Sequence, residues 1–366
     1  MTRTASIWRR PITGGVVGWD IGGVNTKVAR VAESAPSPDH RLRPPLGAPT
    51  ATIRPYEIQR DPAALPALLA SLAQAVGHRP GDAHAVTMTA ELSQLFRRKR
   101  DGVAFVLDAV AAAFPGDDIG IFGTRGAFLS VEAAREDPIA VAAANWAATA
   151  ALVAQLVGTA LLIDIGTTTT DVIPIVDGTV CAAGLTDPDR LRSGELLYLG
   201  AVRTPVEAIT HAVPIDGGMA GVSAEGFALA GDVHLWRGTL PPSAYAVPTP
   251  DGRPATRELA GERLARVVCG DRELLDTAAL DAIANAVADA QVARTAAAIA
   301  RVRARHPRIA TAVVTGIGDF IAAAAAARAG LAVRHLADDV GLDASHAAPA
   351  AAVAILRAMQ SHARVT

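Results

Sequence analysis

Two segments, Asp20-Ile-Gly-Gly-Val-Asn-Thr-Lys27 and Asp164-Ile-Gly-Thr-Thr-Thr-Thr-Asp171, repeat one pattern: an aspartate, a glycine turn, then hydrogen-bond donors, with apolar runs on both sides. Glycine lets the backbone turn tightly, and successive N–H groups in such a turn form a nest for an anion. In the first segment Gly22 and Gly23 supply the turn, Asn25 and Thr26 add donors, and Lys27 adds a point charge suited to phosphate. In the second, Gly166 is followed by the hydroxyls of Thr167, Thr168, Thr169 and Thr170. Asp20, Asp164 and Asp171 would repel a phosphate, but their oxygens suit Mg²⁺, directly or through water. Turns of this kind occur in many hairpins that bind nothing. Two copies in equivalent settings point to a phosphorylated small molecule held in a two-lobed fold. A third segment, Thr315-Gly316-Ile-Gly318-Asp319, joins a strand to a helix and suits a nucleotide or diphosphate at the helix N-terminus.

The elements that must position these residues follow from periodicity and punctuation. Residues 16–19 and 28–31 flank the first segment as strands, and 160–163 and 172–176 flank the second. The turn pair Asp177-Gly178 leads into a further strand over 179–182. Pro, Ser and Asp make 33–50 an exposed loop. Asp61 is placed to cap a helix running to Val76. Residues 83–89 read as a strand ending at Ala90-Glu91, 102–114 as a helix, and 119–122 and 128–130 as short strands. An Ala-rich helix over 139–157, carrying Asn145 and Trp146, is expected to connect the lobes. Residues 184–260 look irregular, and long irregular stretches are often functional. A helix over 278–304, a strand over 310–315, a helix to 329, a strand over 331–335 and a last helix capped by Ser345, with Pro349 in its first turn, complete the chain. The order describes an α/β protein duplicated at domain scale. The first lobe spans 1–145, completed by a C-terminal helix at about 343–366. The second spans 146–342, with an insertion at about 184–260.

Composition narrows the function classes. With 366 residues, 51% hydrophobic and 19% charged, the chain can bury two ordinary cores. A net charge of −2 leaves no broad basic footprint for nucleic acid or an anionic membrane. The Ala-rich runs are interrupted by polar residues and glycine and read as buried helices, not membrane spans. Arg3, Arg9 and Arg10 precede no apolar segment of the kind a secretory signal needs. Two cysteines, Cys181 and Cys269, without C-x-x-C spacing fit a reducing cytoplasm. The nine histidines show no metal-binding spacing. Lysine occurs only at Lys27 and Lys99 in a chain rich in arginine, which singles out both.

The three glycine turns, in this order, resemble those of the actin/Hsp70/sugar-kinase superfamily. More narrowly, the chain is similar to the hydantoinase A/oxoprolinase branch, and within it to small proteins linked to tetrahydromethanopterin-dependent one-carbon metabolism. The resemblance rests on Gly18 to Lys27, Met88 to Ser93 with Phe96 to Arg100, Ala144-Asn145-Trp146, Ile163 to Pro174, Thr186 to Pro205 and Thr315 to Phe320. Position 90 departs from it, with Ala where relatives commonly have Gly.

The resemblance implies two related actin-like (ribonuclease H-like) lobes around a central cleft. It implies a transferase of methanofuran-type cofactor biosynthesis, in which a phenol oxygen displaces diphosphate from an aminomethylfuran. Mg²⁺ is the expected cofactor. ATP binding stays open, as does assembly into a homo-oligomer. Glu91, just past a strand end, is the first candidate for the phenol's base, the alternative being a surface ion pair with Arg97 or Arg98. Glu195 is the second candidate, and Lys27 would act on the leaving charge. Arg97, Lys99 and Arg100, together with Asn145, Arg192 and Arg203, are candidates for holding an anionic substrate. Two other readings remain at this point: an ATP-dependent cyclic-amide hydrolase of the hydantoinase/oxoprolinase kind, and a non-catalytic nucleotide-binding regulator.

Overall fold

A computed structural model describes residues 14–32 and 48–362. The arginines at positions 3, 9 and 10 and most of the loop read over 33–50 lie outside the described residues. The first sheet holds β1 (Val16–Ile21), β2 (Asn25–Val31), β3 (Thr50–Pro55), β4 (Ala83–Met88), β5 (Ile119–Phe122) and β6 (Phe128–Leu129), in the order β3-β2-β1-β4-β5-β6. The second takes β7 (Ala160–Ile165), β8 (Thr170–Val176), β9 (Thr179–Val180) and β10 (Leu196–Leu197). After a separate hairpin of β11 (Ala212–Ile215) and β12 (Gly218–Gly221), β13 (Thr311–Thr315) and β14 (Ala332–His335) complete it. Its order is β10-β8-β7-β13-β14, with β9 on β8. Both sheets therefore share one plan. The first strand of each lies beside the second, and on its other side beside a parallel strand from later in the chain, β1 with β4 and β7 with β13. The duplication read from the two glycine turns is a duplication of sheet topology.

The helices are α1 (Leu65–Ala75), α2 (Lys99–Ala113), α3 (Val131–Glu136), α4 (Asn145–Leu156), α5 (Asp187–Ser193), α6 (Ala230–Trp236), α7 (Arg257–Arg266), α8 (Thr277–Arg305), α9 (Asp319–Arg328), α10 (Ala337–Val340), α11 (Leu342–His346) and α12 (Ala348–His362). Among the described residues, no helix is long and apolar enough to cross a membrane.

The chain divides into two compact units. Unit 1 comprises residues 1–160, 175–187 and 335–366; unit 2 comprises 161–174 and 188–334. In unit 1, β1 is buried along its whole length, as a central strand covered on both faces must be. Helix α12 covers it closely. A Cβ at Gly18 would fall on the Ala350 carbonyl and 2.8 Å from the Ala354 Cβ, so this contact needs glycine on the strand and alanine on the helix. In unit 2, Val206, Val233, Leu264, Ile283 and Val287 are fully buried in one cluster built on α6, α7 and α8. Much of the 184–260 stretch that looked irregular is thus short elements seated on a core.

Three boundaries differ from the sequence reading. The expected long helix over 139–157 begins only at Asn145, because Pro138 opens a separate 3-10 turn and Ala143 adopts a left-handed φ of +50°. That helix packs within unit 1, and the division falls after Ala160. Ser345 sits inside α11 and not at the start of the last helix; Ala347 separates the two, and Pro349 lies in the first turn of α12. Asp61 makes no side-chain cap, since Pro62 opens a short 3-10 turn ahead of α1.

Candidate functional site

The two glycine turns close with the same hydrogen bond. Gly22 N–H donates to Asn25 O at 3.0 Å, and Gly166 N–H donates to Thr169 O at 3.0 Å. Neither glycine has a positive φ. Gly22 is needed for space, because a Cβ there would sit 2.7 Å from Asn25 O, whereas Gly23 faces open space. Their charge patterns differ. In unit 1, Asp20 and Lys27 stand opposite each other in the β1–β2 register, and Lys27 Nζ donates to Asp20 Oδ2 at 3.0 Å. The other oxygen, Asp20 Oδ1, is buried and has no hydrogen-bond partner. Thr87, its register neighbour on β4, also has a buried hydroxyl without a partner, as does Thr26. In unit 2 the position matching Lys27 is Asp171, which receives Arg190 of α5 at 2.5 Å, both side chains being nearly buried.

The third glycine turn packs onto the second. Gly316 has a φ of +89°, and a Cβ there would strike Ile165 O and Asp164 Oδ1. Gly318 N–H donates to Ile165 O at 2.9 Å, so α9 starts beside Asp164. A further strap closes over Thr167, whose carbonyl accepts the amides of Val202 (3.2 Å) and Arg203 (2.9 Å). Gly200 is required there, since its Cβ would lie 2.5 Å from Thr167 O. Thr167, Thr168 and Thr169 stay half-buried, while the Thr170 hydroxyl donates to Leu199 O and is taken up structurally. Unit 2 therefore gathers Asp164, Gly166 to Thr169, Gly316 and Gly318 in one place. The Arg203 side chain is exposed.

Unit 1 gathers the other candidates at the ends of the same strands. Thr89 N–H donates to Ile21 O, which ties the end of β4 to the first glycine turn. Two residues on, in a 3-10 turn, lies Glu91. It is 2% exposed, and neither carboxylate oxygen has a partner meeting hydrogen-bond geometry. Burial pushes its pKa up to about 7; the nearby Asp187 charge adds to the rise, while the Lys99 ammonium and the amides of Glu91 and Ala143 act against it. Lys99 opens α2 and donates to Asp187 Oδ2 at 3.0 Å. Asn145, half-buried, begins α4 just after Ala142, which bridges to Met88 at the end of β4.

The remaining candidates lie elsewhere. Arg97 and Arg100 are exposed, and Arg98 pairs with Asp101 on the outer face of α2, so Glu91 forms no ion pair with that cluster. Arg192 is exposed and pairs with Asp189. Glu195 is fully buried in unit 2, where Arg305 donates to its Oε1 at 2.8 Å. Sequence reasoning missed Asp187 and Thr87 as site residues. The rarity of lysine was the available signal: both lysines pair with aspartates beside the strand ends.

A histidine cluster also escaped the spacing rules. His78, His84 and Asp117 bring one ligand atom each within 4.8 Å of one another. Trp19 Nε1–H donates to His84 Nδ1 at 3.1 Å, so the neutral ring of His84 carries its proton on Nε2, facing Asp117 at 3.3 Å. A metal at Nε2 would have to displace that proton, and burial already pushes the His84 pKa down to about 4. Trp19, His84 and Asp117 form a hydrogen-bond chain through the buried His84 ring, which His78 does not join.

A family model described as Hydantoinase/oxoprolinase matches residues 82–360. The (4-{4-[2-(gamma-L-glutamylamino)ethyl]phenoxymethyl}furan-2-yl)methanamine synthase of Methanocaldococcus jannaschii is 35% identical over 271 residues, 74% of this chain and 76% of its own length. The synthase of the same name from Methanococcus vannielii is 40% identical over 111 residues, 30% of this chain and 50% of its own. Among solved structures, component A of (R)-2-hydroxyglutaryl-CoA dehydratase from Acidaminococcus fermentans aligns over 95% of this chain and 99% of its own at 10% identity, with a TM-score of 0.46.

Proposed function

Because the chain belongs to the hydantoinase/oxoprolinase family, we propose that it is a transferase that makes an aryl ether: the phenol oxygen of a γ-glutamyl-tyramine or tyrosine-type acceptor replaces diphosphate on the methylene of an aminomethylfuran. The observation that carries this reading is the 35% identity to the M. jannaschii synthase over three-quarters of both chains, since the product in that enzyme's name is a phenoxymethyl furan. The reaction fits a cytoplasmic protein, and the free cysteines Cys181 and Cys269 support that location.

The chemistry asks for little covalent help. A furan-methyl carbon stabilises positive charge, so the carbon–oxygen bond to diphosphate can break ahead of attack. Catalysis then rests on holding the diphosphate, balancing its growing charge and orienting the phenol. In unit 1 the Gly22–Asn25 turn offers backbone donors, and Lys27 is poised beside it on Asp20. Asp20 Oδ1, buried and unpartnered, is the kind of hard oxygen that Mg²⁺ takes. In unit 1 Asp20 would hold the ion; in unit 2 Asp164 is the corresponding carboxylate, whereas Asp171 is engaged by Arg190. Bound Mg²⁺ would neutralise charge on the leaving diphosphate.

Glu91 takes the phenol proton. Its carboxyl is buried, unpartnered and titrates near neutrality, where a general base is most useful. Glu195 is committed to Arg305, which leaves the base role to Glu91. The test is to supply aminomethylfuran diphosphate and γ-glutamyl-tyramine, with and without ATP, and to follow ether and diphosphate. Ether formed with one equivalent of diphosphate and no ATP requirement is the expected result. ATP hydrolysis stimulated by 5-oxoproline, without ether, would return the chain to the hydrolase reading; tight nucleotide binding without turnover would make it a regulator.

A further inference from the structure

Lys99 and Glu91 are within electrostatic reach of each other, yet they form no ion pair. The first turn of α2, which carries Lys99, is pressed against Glu91 through Gly102. A buried carboxylate next to a lysine would ordinarily take that lysine, because an unpaired buried charge is costly. Here Lys99 Nζ turns to Asp187 Oδ2 at 3.0 Å, and the Asp187 side chain is itself only 13% exposed. Asp187 lies on the first residue of α5, outside the sequence neighbourhood of either group.

We propose that Asp187 is a positioning residue: by drawing the Lys99 ammonium to itself it keeps Glu91 free of an ion pair, so that the carboxylate is not taken up by a cation before a phenol reaches it. The inference rests on the reading of Glu91 as the base. Two charged side chains act on Glu91 from the packed elements, Lys99 from α2 and Asp187 from α5, together with the amides of Glu91 and Ala143. Arg98 is turned to Asp101 and takes no part. If Asp187 loses its charge, two effects act in the same direction. A negative neighbour disappears, and Lys99 is released to pair with Glu91. Each favours the Glu91 carboxylate and makes it a weaker base.

The test follows the Glu91 carboxyl by infrared difference titration, its band assigned as the one missing in Glu91→Gln. This readout does not depend on turnover. Asp187→Asn should move the Glu91 midpoint down by about one pH unit or more and lower the plateau of ether formation by roughly tenfold. Adding Lys99→Gln to Asp187→Asn should bring the midpoint back up, since no cation is left to pair with Glu91. Lys99→Gln alone should raise it. A purely structural Asp187 would give an unmoved midpoint and no recovery in the double variant, and either result overturns the proposal. If Asp187→Asn does not fold, Lys99→Gln decides alone: an unchanged midpoint overturns it. Midpoints that move as expected in a protein that forms no ether would overturn the transferase reading and leave this one standing.

Discussion

Position 102 has no room for a side chain: a Cβ on Gly102 would lie 2.5 Å from the Glu91 Cα and 2.9 Å from its Cβ. A glycine inside a helix usually weakens it, because alanine is the better helix former by about 1 kcal/mol. At this position the helix gives up that gain so that its first turn can lie against the base.

Gly102→Ala should therefore destabilise the protein where helix propensity alone predicts a gain. Overpacking against the Glu91 backbone is expected to cost about 1–3 kcal/mol, which outweighs the propensity term. Urea unfolding read by circular dichroism gives the sign. A variant more stable than the parent would show that the 3-10 turn can withdraw from α2.

Glu91 makes stability depend on pH in a definite direction. Its folded pKa, about 7, lies above the ordinary value of 4.5, so the folded state holds a proton that the unfolded state has released. The contribution is full below about pH 4.5 and is lost as pH rises through 7, a swing on the order of 3 kcal/mol across the window. Replacing Glu91 by Gln should flatten that part of the stability profile. The same substitution should cut the rate of ether formation by about 10²–10⁴-fold. In the parent enzyme the rate should rise with pH through the same midpoint, because the base acts in its charged form.

Gly316→Ala tests the unit 2 turn. The backbone there is left-handed, and a methyl group would press on Ile165 O and Asp164 Oδ1. The cost is expected to be about 1–3 kcal/mol, taken from the turn that faces Asp164. Calorimetry with inorganic diphosphate in Mg²⁺ should show binding weakened by roughly tenfold or more, a loss of about 1.4 kcal/mol. Unaltered binding would mean that this turn is architectural.

The buried pair Arg190 and Asp171 should behave unlike a surface bridge. Arg190→Met leaves a carboxylate with its guanidinium partner gone, at a cost of about 3–5 kcal/mol. Adding Asp171→Leu should recover much of that loss. Guanidinium unfolding midpoints of the two variants measure it, and a double variant no better than the single would argue that Asp171 has a role apart from Arg190.

Much of this architecture could be read from the chain because it is written in local signals. Ile119 to Phe122, an apolar run between a helix and a turn, forms the strand expected of it, and the helix expected over 278–304 spans Thr277–Arg305. The two Asp-x-Gly turns announced a duplicated unit, and the matching order of the two sheets agrees. What local signals could not carry was pairing. Asp171 and Lys27 occupy equivalent places, but one meets an arginine from a later helix and the other an aspartate on the facing strand. Glu91 and Glu195 looked alike as carboxylates near glycine or strand ends. Arg305, 110 residues away from Glu195, separates their chemistry. Ala143 takes a left-handed backbone that alanine rarely adopts, so nothing in its sequence forecasts the break before Asn145.

The way α12 lies on β1 has a consequence for how the protein is made. Gly18 leaves the ribosome early, while Ala350 and Ala354, which cover it, are translated after all of unit 2. Vectorial synthesis cannot finish unit 1 first: its sheet must wait, with one apolar face bare, until the last helix is available. Such long-range closure slows folding and prolongs the exposure of aggregation-prone strands. Unit 2 is enclosed in sequence by unit 1 and has its core residues within 161–334, so it has every contact it needs before unit 1 does. Chaperone dependence during expression should accordingly track the α12–β1 seam, and a tethered or early-supplied α12 should relieve it.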